Sequence, residues 1–183
     1  EKAGLPAGSV PIHAMLESAR GIEHAYAIAT ACPRVRALTL GGQDLTADLG
    51  IQKTREGWEF FYARSRVVMA AKAAGVDAFD TVWTDFNDPE GLFRETKQIV
   101  ELGFSGKAAI HPSQVPIIHR AFRPDERELR KAERILAAAE EAERQGRGVV
   151  AVDGKMVDAP IIARARHLIS LAGLYGMEGG GEQ

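Results

Sequence analysis

The stretch VRALTLGGQD, Val35 to Asp44, carries the pattern on which the fold prediction rests. Val35 to Leu40 is a short, largely apolar run bounded by turn residues, which is typical of a buried strand. The run ends in two glycines followed by Gln43 and Asp44. We predict a strand whose carboxyl end leads into a polar loop, and this loop continues past Gly50 and Gly57.

A short apolar run followed by a helical segment occurs four times along the chain. The predicted strands are 10–16, 35–40, 78–83 and 107–110, and the predicted helices are 18–30, 58–74, 88–102 and a piece that begins near 113. This alternation implies a parallel sheet with helical crossovers. Polar residues follow the strands directly: Glu17, Asp44, Asp85 and His111. Ligand sites of barrels and open α/β sheets form at that carboxyl edge.

The pattern changes after residue 123. Pro124-Asp125 opens a long charged helix that reaches about Arg144, and Asp153-Gly154 predicts a hairpin turn within 149–157. A last helix runs from Pro160 to Ala172, and we expect 179–183 to be disordered. We therefore predict two domains, 1–123 with the strand–helix units and 124–183 as a helix–hairpin–helix extension.

Composition excludes several classes of protein. The 183 residues are 45% hydrophobic and 26% charged, with a formal net charge of −2, as expected for a globular protein. A balanced charge lacks the basic face of a nucleic-acid-binding protein. The single cysteine, Cys32, excludes an internal disulfide and favours a cytoplasmic setting. We also find no membrane span, no signal peptide and no nucleotide-binding glycine motif.

Four parallel strands alone would leave long unpaired edges, which proteins avoid. A closed barrel needs eight strands and about 250 residues. The sequence therefore predicts either half of a barrel or a small open-sheet domain.

Four segments decide between these alternatives, because each resembles a motif of one known family. They are AMLESARGI (Ala14 to Ile22), LTLGGQDLTADLG (Leu38 to Gly50), GFSGKAAIHPSQ (Gly103 to Gln114) and VDGKMVDAP (Val152 to Pro160). The family is the citrate lyase beta-subunit family, within the HpcH/HpaI aldolase group. The resemblance implies a (β/α)8 barrel of the TIM type, of which these strands form the C-terminal half, and a trimeric or hexameric homo-oligomer.

The resemblance also implies a metal site. Glu17 and Asp44 match the family's ligands for Mg²⁺ (or Mn²⁺), and two carboxylates with waters suit such a hard cation. The alternative is that Glu17 caps the following helix and Asp44 lies in a turn.

Four other residues are candidates for substrate binding or catalysis, and for Gly42, Gln43 and Asp158 the role is what the resemblance implies. Gly42 and Gln43 would hold a substrate carboxylate on backbone N–H groups, or else form a simple tight turn. Arg20 would contact a phosphate or carboxylate, or else lie in solvent. Asp158 would act as acid or base in a neighbouring subunit's site, or else cap the last helix.

The function implied by the resemblance is carbon–carbon lyase chemistry on a β-hydroxyacyl thioester. Citryl, malyl or citramalyl thioesters of coenzyme A or an acyl-carrier protein would give a 2-keto acid and a smaller acyl thioester. Two alternatives remain: a metal-dependent class II aldolase acting on a 4-hydroxy-2-keto acid, and an incomplete or non-catalytic partner subunit. We interpret Arg64 and Arg66 as solvated helix residues, and Asp85 as a group at the rim of the site.

Overall fold

The computed structural model describes residues 4–6, 8–146 and 150–175. The chain divides into two compact units, Glu1–Phe122 and Arg123–Gln183. The predicted boundary lies one residue further along the chain. The segment 179–183, for which disorder was predicted, lies outside the described residues.

The first unit is a four-stranded parallel sheet with helices between its strands. The strands are β1 (Ile12–Leu16), β2 (Val35–Leu40), β3 (Asp77–Asp80) and β4 (Gly106–Lys107), and they pair in the order β1-β2-β3-β4. The helices are α1 (Ala19–Glu23), α2 (Ala25–Ala29), α3 (Gly42–Leu49), α4 (Phe61–Ala74), α5 (Pro89–Leu102) and α6 (Val115–Phe122), with 3-10 turns at Trp58–Phe60 and Pro112–Gln114.

The helix boundaries follow from local chemistry, and several predictions are confirmed. Gly75 ends α4 in the left-handed conformation, at φ 69°, as predicted. Asp88 caps α5 by accepting a hydrogen bond from the Gly91 amide, and Pro89 occupies the first turn. These features determine where α4 ends and where α5 begins.

Two predictions about this unit were wrong. The residues after β2 form α3 rather than a long loop, because Leu45 and Thr46 bury one side of a short amphipathic helix. The third and fourth strands are also shorter than predicted. β3 ends at Asp80 instead of continuing to Trp83, because its ladder to β2 stops at Phe79 and its ladder to β4 stops at Asp80.

The core of the first unit is apolar and lies between the sheet and its helices. Its fully buried large side chains are Leu38, Leu40, Leu45, Phe60, Val67, Leu92 and Ile99. Leu38 and Leu40 come from the central strand, and the others come from the 3-10 turn and from three helices. This packing joins β2 to the 3-10 turn and to α3, α4 and α5.

The second unit is the predicted helix–hairpin–helix. It contains α7 (Glu126–Arg144), β5 (Val150–Val152), β6 (Lys155–Val157) and α8 (Ala159–Leu174), and β5 and β6 are antiparallel. Asp153 and Gly154 both have positive φ, 50° and 72°, as the predicted tight turn requires. Ala132, Ile135, Val157 and Ala165 form its core.

Within the described residues, no helix combines the length and the apolar character that crossing a membrane requires.

Candidate active site

The carboxyl ends of β1 and β2 lie side by side. Leu16 and Leu40 are paired in the parallel ladder, and the Gly41 amide donates to the Leu16 carbonyl at 2.9 Å. The residue after each strand therefore emerges at the same edge of the sheet. These residues are Glu17 and Gly41.

The Glu17 side chain lies directly against the backbone of Gly41. A Cβ atom at position 41 would lie 2.3 Å from Glu17 Cγ and 2.7 Å from Glu17 Oε1, closer than real Cβ atoms approach. Glycine at position 41 thus leaves the space that the Glu17 carboxylate occupies, beside the start of α3.

Asp44 lies in the first turn of α3, for which Gly41 is the N-cap. Its side chain is exposed, whereas Leu45 next to it is buried. A carboxylate in the first turn is stabilised by the helix dipole. The amides of Gln43 and Asp44 have no hydrogen-bond partner among the described residues, as is usual for first-turn amides without a capping side chain. The start of α3 can therefore accept an anion.

A third link joins the segments that follow the two strands. Asp48, on the last turn of α3, accepts a hydrogen bond from the Ala19 amide at 2.7 Å. Ser18 caps α1 by accepting from the Gly21 amide at 3.1 Å. Ser18 and not Glu17 is therefore the capping residue, which removes the structural alternative considered for Glu17.

The two carboxylates fit a magnesium ion in their chemistry. Neither Glu17 nor Asp44 has a hydrogen-bond or ion-pair partner in the part of the chain that the structure describes, so both remain available as ligands. No group of three or more His, Cys, Asp or Glu side chains that could hold a metal occurs there. A site with two carboxylates suits Mg²⁺, which keeps several waters and shares its coordination with substrate oxygens.

The amide of Gly42 binds within the protein rather than, as was predicted, being open to a substrate. Its amide donates to Thr81 Oγ1 at 2.9 Å, so this N–H is already engaged within the protein. A Cβ atom on Gly42 would lie 2.8 Å from Thr81 Oγ1 and 3.2 Å from Phe60 Cζ. The prediction that Gly42 binds a substrate carboxylate through its amide therefore gives way to a structural role. The neighbouring Gln43 amide keeps the binding role as a prediction.

The two remaining candidate residues are Arg20, which lies on α1, and Asp158, which lies at the start of α8. Arg20 lies on α1, three residues after Glu17, and it is exposed without a side-chain partner among the described residues. Asp158 caps α8 by accepting from the Ile161 amide at 3.2 Å, and it is exposed. The cap is the local role that the sequence suggested as an alternative, and the catalytic role of Asp158 stays a prediction.

The two other rim residues have local partners. Asp85 is exposed and accepts a hydrogen bond from the Asn87 amide at 2.9 Å. His111 accepts from the Ser113 amide at 3.2 Å and so caps the 3-10 turn. These bonds shape the loops that follow β3 and β4.

The sequence analysis missed a buried charge network behind the start of α3. Arg64, predicted to be solvated, is 3% exposed and binds Asp80 through two hydrogen bonds of 2.8 and 3.0 Å. Lys107 binds Asp80 at 2.7 Å and Glu95 at 2.8 Å. Glu95 also pairs with Arg64 at 3.1 Å and with Lys53 at 3.4 Å. The network thus joins β3, β4, α4 and α5.

The charges in this network shift one another's pKa. Burial alone would raise the pKa of Asp80, but Lys107 and Arg64 together lower it below its ordinary value. The pKa of Glu95 is lowered for the same reason, against its own burial, by Lys107, Arg64 and Lys53. Both carboxylates are therefore ionised at neutral pH.

One feature of the sequence pointed to the ion pair of Asp80 with Lys107, because both residues belong to predicted strands.

The sequence of the first unit matches one protein family. The match is to the family described as HpcH/HpaI aldolase/citrate lyase, and it covers residues 1–112. The chain belongs to the HpcH/HpaI aldolase/citrate lyase family. This membership confirms the resemblance on which the site prediction rests, and the fold class is α/β of the TIM-barrel type, represented here by four consecutive strands.

Individual relatives in the family are named for lyases. The chain is 44% identical over 173 residues to the citrate lyase subunit beta of Haemophilus influenzae, covering 94% of this chain and 60% of the relative. It is 35% identical over 136 residues to the mitochondrial citramalyl-CoA lyase of Rattus norvegicus, covering 74% and 40%. The chain spans 56–60% of the length of the citrate lyase beta subunits and beta-like protein that it resembles.

A solved structure within the family has a similar fold. It is the protein CitE of Mycobacterium tuberculosis in complex with magnesium, acetoacetate and coenzyme A. The TM-score is 0.78 at 36% identity, with 89% of this chain and 61% of that chain covered.

Proposed function

We propose that the protein is a magnesium-dependent lyase that breaks or forms a carbon–carbon bond in a β-hydroxyacyl thioester. The observation that carries the proposal is the position of Glu17 against Gly41, at the start of the helix that bears Asp44. Two free carboxylates at the carboxyl edge of a parallel sheet suit a cation that binds substrate oxygens. The magnesium, acetoacetate and coenzyme A of the Mycobacterium tuberculosis relative support the same chemistry.

The residues of this chain have distinct tasks in the proposed reaction. Glu17 and Asp44 would hold the cation, with Mn²⁺ as a substitute for Mg²⁺. When bound, the ion supplies Lewis acidity to the hydroxyl and carbonyl oxygens of the substrate. The amides of Gln43 and Asp44, at the positive end of α3, would orient the substrate carboxylate. Arg20 would add a positive charge near the same edge.

Asp158 would act on the acyl thioester carbon from a neighbouring subunit. In this proposal the protein is a homo-oligomer, and the α7–hairpin–α8 unit of one copy completes the site of another. A carboxylate within reach of a carbon can take up or return its proton as a general base or acid. The Asp158 carboxylate is exposed, so it is available for such a contact.

The proposed substrates differ in their acyl group and in the thiol that carries it. The candidates are citryl, malyl and citramalyl thioesters of coenzyme A or of an acyl-carrier protein. The relatives named citrate lyase subunit beta and citramalyl-CoA lyase favour the first and the last of these acyl groups. Because the family description also includes aldolases, cleavage of a free 4-hydroxy-2-keto acid is the second candidate.

A thioester-cleavage panel tests the proposal. The purified protein is incubated with each thioester and with a 4-hydroxy-2-keto acid, with and without Mg²⁺, and the keto acid released is measured. We expect thioester cleavage that requires the metal and that Asp44→Asn reduces by more than about a hundredfold, since even outer-shell partners of a metal are worth about ten- to a hundredfold. Asp77→Asn is the matched control, because Asp77 is an exposed carboxylate at the opposite end of β3.

Metal-independent cleavage, or equal turnover by Asp44→Asn and Asp77→Asn, contradicts the proposal. Cleavage of the keto acid in preference to every thioester moves the assignment to the aldolase.

A further inference from the structure

Thr81 connects the buried charge network to the start of α3. Its hydroxyl accepts a hydrogen bond from the Gly42 amide at 2.9 Å, and its carbonyl accepts one from Lys107 Nζ at 2.7 Å. The residue is 4% exposed and directly follows Asp80, which is held by Arg64 and Lys107. Both the side chain and the carbonyl of Thr81 are therefore held by hydrogen bonds in a buried part of the protein.

The contact between Thr81 and α3 is close and specific. A Cβ atom on Gly42 would lie 2.8 Å from Thr81 Oγ1 and 3.1 Å from Thr81 Cγ2, so the threonine side chain packs on the first residue of the helix. Gly42 is buried, and its N–H is one of the first-turn amides that the helix itself leaves unpaired. The Thr81 hydroxyl supplies the missing acceptor at the start of α3.

Asp44 follows two residues after Gly42, in the same helical turn. A displacement of the Gly42 amide therefore moves the Asp44 carboxylate and the free amides of Gln43 and Asp44 together. Glu17 is held separately, by the β1–β2 pairing and the Gly41 backbone. Loss of the Thr81 hydroxyl would change the position of one proposed ligand and leave the other in place.

We propose that Thr81 is a positioning residue for the metal site, which sets the Asp44 carboxylate relative to Glu17 by holding the Gly42 amide. This inference rests on the proposed function, because it assumes that Glu17 and Asp44 are the metal ligands. Thr81 itself touches neither carboxylate in the described contacts. Its role is that of a hydrogen-bonding group behind the ligands, and groups of that kind typically change metal affinity by about ten- to a hundredfold.

Thr81→Val tests the inference, because valine keeps the shape of threonine and replaces the hydroxyl with a methyl group. Thr96→Val is the matched control. Thr96 is also fully buried in this unit, and its hydroxyl binds the Leu92 carbonyl at 2.6 Å within α5. Binding of Mn²⁺ is measured by calorimetry and by electron paramagnetic resonance on the purified protein, with unfolding by urea measured in parallel. Thr81→Ser restores the hydroxyl.

We expect Thr81→Val to weaken Mn²⁺ binding by about ten- to a hundredfold, and Thr81→Ser and Thr96→Val to change it by less than about threefold. If Thr81→Val does not fold, Thr81→Ala and Thr96→Ala replace the valine pair.

Two results are contrary, and they differ in what they overturn. Wild-type affinity in Thr81→Val, while Asp44→Asn loses the metal, overturns the positioning role and leaves the proposed function intact. A wild-type protein that binds no Mn²⁺, or binds it equally well after Glu17→Gln and Asp44→Asn, overturns the proposed metal site and this inference with it.

Discussion

The Lys107 amino group lies 2.7 Å from Asp80 Oδ2, and both side chains are completely buried. Lys107 makes two further bonds, to Glu95 Oε1 at 2.8 Å and to the Thr81 carbonyl at 2.7 Å. All three hydrogens of the ammonium group are therefore paired. A buried charge of this kind is tolerated only while its partners remain, so the network should respond sharply to the loss of one member.

Lys107→Met should strongly destabilise the first unit. Removing one partner of a buried ion pair leaves uncompensated charge, which costs about 3–5 kcal/mol in the free energy of unfolding. Lys53→Met is the matched control, since Lys53 pairs with the same Glu95 at 3.4 Å and its side chain is 21% exposed. Burial lowers the pKa of Lys53, and Glu95 offsets that effect only in part, so its charge adds little stability.

The measurement is unfolding by urea near neutral pH for both variants. We expect Lys53→Met to lie within about 1 kcal/mol of the wild type, because Lys53 is partly exposed and ion pairs of that kind contribute about 0–1 kcal/mol. An equal decrease in the free energy of unfolding in the two variants would contradict the view that the buried hydrogen bonds of Lys107 hold β4 to its neighbours.

The same network predicts the acid sensitivity of the fold. The pKa values of Asp80 and Glu95 are below their ordinary values of 3.8 and 4.5, so the unfolded chain binds protons more readily than the folded one. Their contribution to stability is complete above the ordinary values and is lost as the pH falls through the lowered ones. The free energy of unfolding should therefore fall as the pH drops below these ordinary values.

Urea unfolding at a series of pH values checks this prediction. Asp80→Asn removes one of the two titrating groups, so this variant is less stable at neutral pH and its stability falls less steeply in acid. Parallel acid profiles for the wild type and Asp80→Asn would assign the acid sensitivity to other carboxylates.

The order of strands and helices in the first unit was predictable, because they alternate and because particular residues mark where they end. Asp88-Pro89 and Gly75 mark helix ends by rules that depend on neighbouring residues alone. The helix α3 was missed, because its glycine-rich start resembles a loop and its single buried side is short. The tertiary contact between the Gly42 amide and Thr81, at the first residue of α3, has no signal in the local sequence.

The meeting of the two segments that carry the proposed ligands was predictable, but the buried contacts behind them were not. Glu17 and Asp44 follow adjacent strands, so parallel pairing brings their segments together. Arg64 was misjudged, because a helical arginine is usually solvated. Its partners Asp80 and Glu95 lie 16 and 31 residues away in sequence, and no local pattern links them.

Gly41→Ala should disrupt the metal site. The new Cβ would overlap the Glu17 side chain, whose Cγ lies 2.3 Å from that position, so the carboxylate must move. We expect Mn²⁺ affinity to fall by about tenfold or more, as for other displaced groups around a metal. Gly173→Ala is the control, since a Cβ there meets nothing within 4 Å and alanine favours the helix. Metal titration of both variants gives the answer, and unchanged affinity in Gly41→Ala would argue against Glu17 as a ligand.

The proposed action of Asp158 in a neighbouring subunit predicts complementation between two inactive variants. Asp44→Asn removes the metal ligand of its own site but keeps Asp158, and Asp158→Asn does the reverse. When equal amounts are unfolded and reassembled together, random pairing gives one intact site in about four, so about a quarter of wild-type turnover should return. Each variant reassembled alone is the control. If Asp158 served the site of its own subunit, mixing would restore nothing, because no pairing would then unite the two intact carboxylates. If Asp158 only capped α8 through Ile161, Asp158→Asn alone would stay active, because asparagine caps a helix about as well as aspartate does.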